Sequence, residues 1–249
     1  MIEIKNLYKA FDERPVFRGL DLTIQEKKIT VILGKSGVGK SVLLRHILGL
    51  ILPDSGEIIH DGRDLTKMEA TDRRDYRLQF GMVFQHSALL DSLTVGENVG
   101  LGMSKLTDKS DEEIRNEVLE ALGAVGLEDT YDMLPDTLSG GMRKRVAFAR
   151  AIAMQPKYLL YDEPTTGLDP TTGEMITNLI LKFAREFETT SIVVTHDMTA
   201  TLKIADKIAL MDDGKIQKTF TPDEFITTDF ELARDFLSGA FPESSPVEI

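Results

Sequence analysis

The chain has 249 residues, 42% of them apolar and 28% charged, the balance of a globular protein with a large core or two compact lobes; this excludes disorder over most of its length. A formal net charge of -12 and a pI near 4.9 argue against a general nucleic-acid surface, which needs clustered Lys and Arg, and leave only short basic patches such as Arg143 to Arg145 open to that use. The lack of cysteine excludes disulfides, thiolate nucleophiles and Cys-ligated zinc, and the four His show no paired metal spacing.

The N-terminal third reads as strands. Ile2 and Ile4, followed by Asn6-Leu7, alternate, as do Leu20, Leu22 and Ile24, and Ile29 to Leu33 is a continuous β-favouring run ending at Gly34. A buried strand that delivers a glycine loop is the expected geometry of a phosphate site. The next residues, Gly34-Lys35-Ser36-Gly37-Val38-Gly39-Lys40-Ser41, satisfy the P-loop pattern completely. Its glycines let backbone N–H groups point at phosphate oxygens, Lys40 offers a mobile cation to the β and γ phosphates, and Ser41 is suited to ligating Mg²⁺. A plain Gly-rich turn shares part of this pattern, but the strand before it and the helix after it favour phosphate binding. That helix is predicted from Ser41 to Leu50, with Val42, Leu43, Leu44, Ile47 and Leu48 at helical spacing and Pro53-Asp54-Ser55-Gly56 as its stop. Asp61-Gly62, after Glu57-Ile58-Ile59, predicts a hairpin turn.

The middle of the chain predicts a helical subdomain over about 89–154, where Ser110-Asp111-Glu112-Glu113 reads as a capping box and Ile114, Val118, Ala121, Leu122 and Val125 share one face. Within it, Leu138-Ser139-Gly140-Gly141 precedes Met142-Arg143-Lys144-Arg145; a Ser hydroxyl, two unobstructed N–H groups and a helix start make a second anion site, or an ordinary cap. The α/β pattern returns with the strand Tyr158 to Tyr161, a helix from Pro170 to Phe187, the strand Ile192 to Thr195 and a helix or turn after His196, which predicts a largely parallel sheet covered by helices. Asp162 and Glu163 end the first of these strands; the first carboxylate suits a Mg²⁺ contact and the second can polarise an attacking water, although paired carboxylates at strand ends are also common on surfaces. His196 sits at the carboxyl end of a strand, where open α/β sheets bind ligands. Thr221-Pro222-Asp223-Glu224 starts a last helical region, and Pro242 to Ile249 reads as an acidic tail. No apolar run approaches the roughly 20 residues that span a bilayer, and Met1 to Lys5 lacks a signal-peptide core, so a membrane role is expected through a partner.

Taken in order, these motifs resemble those of the ABC transporter ATPase family over nearly the whole chain. The resemblance implies an α/β P-loop NTPase cassette with a mainly parallel sheet core, an N-terminal antiparallel β subdomain and a helical subdomain. As one ABC ATPase domain over 1–249, its ATP-binding core would be 1–88 and 155–220, its helical subdomain 89–154, and its C-terminal region and tail 221–249. It implies ATP hydrolysis with ATP and Mg²⁺ as the ligands. Phe11 matches the aromatic that stacks on adenine, the loop from Gly34 to Val42 matches the phosphate cradle, and Ser41, Gln85 and Asp162 match the Mg²⁺ contacts. Glu163, His196 and Lys40 carry the catalytic roles, with His196 on the γ-phosphate. Ser139, Gly140 and Gly141 would bind the γ-phosphate of ATP held by a second copy of the chain, and Asp169 matches the loop that communicates between the two sites. Two departures stand out: Met142 replaces the usual Gln of the signature, and Val42 replaces a frequent Thr, removing one hydroxyl from the α-phosphate.

Leu138 to Met142 with the Arg-rich helix, and Asp235-Phe236-Leu237-Ser238-Gly239 near the end, are similar to the ATPase of Mla-type, Mce-associated bacterial phospholipid transporters. That resemblance implies peripheral attachment at the cytoplasmic face of the inner membrane. It implies as partners a second copy, transmembrane permease subunits and an Mce-type lipid-binding protein, with no nucleic acid and membrane contact only through partners. An importer of amino acids or other small solutes carries the same ATP motifs. A soluble ABC ATPase acting on nucleic acid or ribosomes usually needs tandem cassettes or long insertions, and a GTPase would need a guanine-reading Asn-Lys-x-Asp.

Overall fold

The computed structural model describes residues 1–240; Phe241 and the acidic tail expected over Pro242 to Ile249 lie outside the described residues. In chain order the elements are β1 (Ile2–Phe11), β2 (Arg14–Ile24), β3 (Ile29–Leu33), α1 (Lys40–Ile47), β4 (Ser55–His60), β5 (Arg63–Asp64), α2 (Ala70–Arg77), β6 (Phe80–Val83), α3 (Val95–Leu106), α4 (Asp111–Ala124), α5 (Gly140–Ile152), β7 (Tyr158–Asp162), α6 (Pro170–Glu186), β8 (Thr190–Thr195), α7 (Met198–Ile204), β9 (Lys207–Asp212), β10 (Lys215–Phe220), α8 (Pro222–Thr227) and α9 (Glu231–Ala240). They divide between two compact units, Met1–Arg73 with Ile192–Ile249, and Arg74–Ser191.

The first unit begins with an antiparallel sheet in the order β2-β1-β4-β5. Its β1–β2 turn is made by Asp12 and Glu13, both left-handed, between the paired Phe11 and Arg14. Ile2, Ile4 and Leu7 are all buried although strict alternation puts Ile4 and Leu7 on opposite faces; Asn6, at φ 48°, inserts a bulge that restores parity, and its N–H donates to Asp21 Oδ1 at 2.9 Å. The hairpin turn expected at Asp61-Gly62 is present, with both residues at positive φ between β4 and β5. The expected helix over 41–50 is corrected: α1 ends at Ile47, well before Pro53. Gly49 takes φ 62° and closes the end, its N–H donating to the His46 carbonyl and that of Leu50 to Arg45, both at 2.9 Å.

β3 is buried along its whole length and pairs in parallel with β9, while β10 returns antiparallel to β9. Beyond it, Thr221 caps α8 through the expected box with Glu224. Phe225 is fully buried and meets Phe220 edge-on at 5.2 Å, and Phe230, Leu232, Phe236 and Leu237 pack around the same cluster as Leu33, Ile208 and Leu210. Phe225 thus contributes roughly 1.5–3 kcal/mol by its full burial, while Phe230, Leu232, Phe236 and Leu237 are partly buried against the same cluster in their own unit.

The second unit holds the parallel pair β6–β7, in register from Phe80 opposite Tyr158 to Val83 opposite Tyr161. It also holds helices α3 to α6. Capping boxes start two of them, Thr94 with Glu97 on α3 and Ser110 with Glu113 on α4, the latter as read from the sequence. Asn98, wholly buried on α3, ties down the preceding loop: its amide donates to the carbonyls of Leu90, Leu93 and Thr94 and its Oδ1 accepts from Leu90 N–H.

Candidate functional site

In the first unit, β3 delivers the glycine loop directly into α1. Gly39 is the N-cap residue of α1 at φ 104°, no side chain caps the helix start, and the first turn carries no Asp or Glu, so the N-terminal field of the helix faces the loop without a competing anion. Gly37 is also left-handed, at φ 85°. Lys40 is buried, and its Nζ donates to the carbonyls of Gly34 at 2.7 Å and Lys35 at 3.0 Å. These bonds hold the ammonium inside the ring of the loop, where a phosphate oxygen is the stronger acceptor. Gly34 N–H donates to Thr195 O at 3.3 Å, so the end of β8 and the exposed His196 that follows it lie beside the start of the loop. Ser41 and Val42 are half-buried on the first turn of α1.

Phe11 stands exposed at the end of β1, with Lys9 Nζ 5.3 Å from its ring centroid; an exposed ring of this kind is a stacking platform. Nothing in the residue pattern marks α9 as a neighbour of the P-loop. Lys35, Asp235, Phe236 and Ser238 line a hollow of about 410 Å³ in this unit.

In the second unit the parallel register sets the carboxyl ends of β6 and β7 side by side, so Gln85, two residues past Val83, and the pair Asp162-Glu163 leave neighbouring strand ends. Both carboxylates are more than nine-tenths buried. Glu163 takes φ 47°, a left-handed conformation that a non-glycine residue holds only at a cost, and Thr166 Oγ1 donates to its Oε2 at 3.2 Å. Sequence pattern marked the carboxylate but neither the strained backbone nor Thr166.

Ser139 caps α5, its Oγ accepting from Met142 N–H at 3.2 Å, and Asp169 caps α6, accepting from Thr172 N–H at 3.0 Å. The Thr172 side chain and backbone hold the Asp169 carboxyl below its ordinary range. These two helix starts meet across a cleft of about 280 Å³ lined by Ser139, Gly140, Gly141, Arg145, Asp169 and Thr172. A Cβ on Gly141 would stand 2.8 Å from Thr172 Cγ2, so the close approach needs glycine there, whereas one on Gly140 would meet nothing within 4 Å. Gly140 therefore borders open space.

The basic stretch of α5 is not a solvent patch. Arg143 Nη1 donates to the Leu138 carbonyl at 2.6 Å, Arg145 Nη1 to Val125 and Gly126 at 3.1 and 3.0 Å, and Lys144 Nζ to Gln85. Each cation is engaged with a backbone carbonyl.

Among the described residues no cluster of three or more His, Cys, Asp or Glu forms a metal cage. Mg²⁺ in phosphoryl-transfer sites takes only one or two carboxylates and completes its shell with phosphate and water; Ser41 in the first unit, and Gln85 and Asp162 in the second, each carry a hard oxygen donor of the kind it takes.

The sequence pattern of the family described as ABC transporter matches residues 17–166. Over 239 residues the chain is 37% identical to the intermembrane phospholipid transport system ATP-binding protein MlaF of Haemophilus influenzae, covering 96% of this chain and 90% of that one. It is also 37% identical over 253 residues to the methionine import ATP-binding protein MetN of Carboxydothermus hydrogenoformans, covering 100% of this chain and 75% of the other. Its fold is similar to the dimeric post-hydrolysis structure of the ATP-binding cassette MJ0796 bound to ADP and Pi, with a TM-score of 0.81, 34% identity, and 89% and 99% of the two chains covered. On the P-loop, the acidic strand end, the Leu-Ser-Gly-Gly helix start and these likenesses together, the chain belongs to the ABC transporter family as an ATP-hydrolysing cassette.

Proposed function

We propose that this cassette powers phospholipid transport between bacterial membranes, working as a two-fold pair attached to permease subunits at the cytoplasmic face of the inner membrane, with an Mce-type lipid-binding protein in the same assembly. The observation that carries the lipid reading is the likeness to MlaF, which runs over 96% of this chain and 90% of that protein. MetN is matched at the same identity, so import of an amino acid is the second reading. No helix among the described residues is long and apolar enough to cross a membrane, which suits attachment through partners.

In this mechanism the backbone N–H groups of Gly34 to Ser41 and the Lys40 ammonium hold the β and γ phosphates, and Phe11 stacks on adenine. Ser41, Gln85 and Asp162 would hold Mg²⁺, which would supply charge neutralisation for the phosphoryl group. Glu163 orients the attacking water and accepts its proton as the γ-phosphoryl group leaves ADP, while His196 and Lys40 stabilise the charge on the transferring group. Ser139, Gly140 and Gly141 bind the γ-phosphate of the nucleotide held by the other copy, and Asp169 carries information between the two sites. Closure of the pair on two ATP molecules and its reopening after hydrolysis would move the permease through Gln85. The open space beside Gly140 suits an incoming phosphate, and the uncapped, anion-free start of α1 suits the other.

Two experiments test this reading. Purifying the native membrane complex and identifying its proteins and bound lipids by mass spectrometry should return a permease, an Mce-type protein and phospholipid; a permease with a periplasmic amino-acid-binding protein would sink the lipid assignment. Ser139→Arg fills the cleft at the start of α5, so ATP binding to the single chain should persist while ATP-induced dimerisation, followed by sedimentation in a Glu163→Gln background, is lost. A normal ATP-dependent dimer in that variant would contradict the composite site.

A further inference from the structure

The helix that begins after Ser139 carries four cations that have no part in the mechanism above, and two of them converge on one loop. Lys144 is 5% exposed on α5, five residues beyond Ser139, and its Nζ donates to the backbone carbonyl of Gln85. Six residues further on, Arg150 donates through Nη2 to the carbonyl of Ser87 at 2.7 Å and through Nη1 to that of Ala88 at 2.5 Å. Three of the four carbonyls from Gln85 to Ala88 are thus held by charged donors from a single helix.

The held segment needs outside support. Ser87 and Ala88 are consecutive left-handed residues with side chains, at φ 61° and 48°, a conformation that L-residues avoid and that only surrounding contacts maintain. Within the segment, Ser87 N–H donates to Phe84 O at 3.1 Å and Ala88 N–H to His86 O at 2.6 Å. Ser87 is itself buried, so its carbonyl has little access to water and depends on Arg150.

Lysine is a costly choice for such a brace, because burial opposes its charge; buried lysines persist where a partner compensates. Burial lowers the Lys144 pKa, and the charge of Asp162, at the end of the strand beside β6, partly opposes it. The same Nζ therefore lies in the field of the expected Mg²⁺ carboxylate while bonded to the residue before the strained turn. A neutral donor of similar length would satisfy the Gln85 carbonyl but leave Asp162 without that field.

We propose that Lys144 and Arg150 are positioning residues that clamp the Gln85–Ala88 segment to the helix beginning at Ser139 and set Gln85 relative to Asp162. Any displacement of the Ser139 helix start is then carried to Gln85 as a rigid unit. The effect on hydrolysis rests on the proposed role of Gln85; the clamp itself does not.

The test uses the full chain as wild type, Lys144→Met, Lys144→Arg and Arg150→Met, with two readouts. Amide hydrogen exchange over 84–88, measured without nucleotide, should speed up about tenfold in Lys144→Met and Arg150→Met while α5 keeps wild-type protection. Steady-state ATPase assays should show kcat reduced about tenfold with KM for Mg-ATP within about twofold, the pattern of an interaction realised in the transition state, and Lys144→Arg should restore both readouts. Should Lys144→Met fail to fold, Arg150→Met, whose side chain is only partly buried, carries the same two measurements. Wild-type exchange over 84–88 in the Met variants overturns the clamp. Faster exchange with unchanged kcat overturns its coupling to hydrolysis and also counts against Gln85 in the mechanism, so the two failures are distinguished. A kcat loss that Lys144→Arg does not restore overturns the role of the charge.

Discussion

Gly37 and Gly39 flank Val38 in the P-loop and both have positive φ, yet the structure assigns them different costs of substitution. An alanine at Gly37 has open space, since a Cβ there meets nothing within 4 Å, so it bears only the left-handed backbone cost of about 1–2 kcal/mol. An alanine at Gly39 bears that cost at φ 104° and also puts Cβ 2.8 Å from Val16 Cγ1 and 3.2 Å from Phe17 Cε1, adding an overpacking cost of about 1–3 kcal/mol. The loop can relieve either strain by leaving its phosphate-ready shape, and binding must then restore it. At 1.4 kcal/mol per tenfold, Gly37→Ala should weaken nucleotide affinity roughly 5- to 30-fold, while a combined cost of about 3 kcal/mol puts Gly39→Ala near two orders of magnitude. Equilibrium titration with a fluorescent ATP analogue measures both, and circular dichroism checks that the fold persists. Equal losses in the two variants, or a larger loss at Gly37, would refute the argument that packing against β2 holds the cradle.

Glu163→Gln keeps the left-handed backbone and an acceptor for Thr166 but removes the base, so turnover should fall about 10²- to 10⁴-fold with ATP affinity unchanged; near-wild-type phosphate release would remove Glu163 from that role. His46 on α1 is buried, its Nδ1 donating to Val42 O at 2.8 Å, and burial holds its pKa below the ordinary 6.5. Because the unfolded chain takes up the proton first, this contribution is complete above pH 6.5 and is lost as pH falls through 6.5 toward the lower folded value. Melting temperatures compared between about pH 7.5 and 5.5 should fall more steeply in wild type than in His46→Gln, and equal slopes would contradict the assignment.

Some features of this protein were fixed by short stretches of chain. The P-loop from Gly34 to Ser41 needs only its own glycines and lysine to define a phosphate cradle, and Ser110 with Glu113 or Thr221 with Glu224 define helix starts within four residues. Asp162 and Glu163 follow from a buried apolar strand that must end in polar groups. Local sterics and local hydrogen bonds act at that range, so residue type and spacing carry the information.

What the sequence left open depends on segments that meet after folding. Pro53 looked like the end of α1, but Gly49 closes the helix earlier. Asp12 and Glu13 form a tight turn without the glycine or asparagine that advertises one, because the pairing of β1 with β2 over ten residues imposes it. The Asn6 bulge, invisible as a break in an otherwise alternating run, is forced by burial of Leu7 beside Ile4. Glu163 shows its strain only in the backbone angles, and Lys144 reads as one more cation in an Arg-rich helix until its partner Gln85 is found 59 residues away. A contact across that separation is decided by the path of the intervening chain through space, which no window of neighbouring residues encodes.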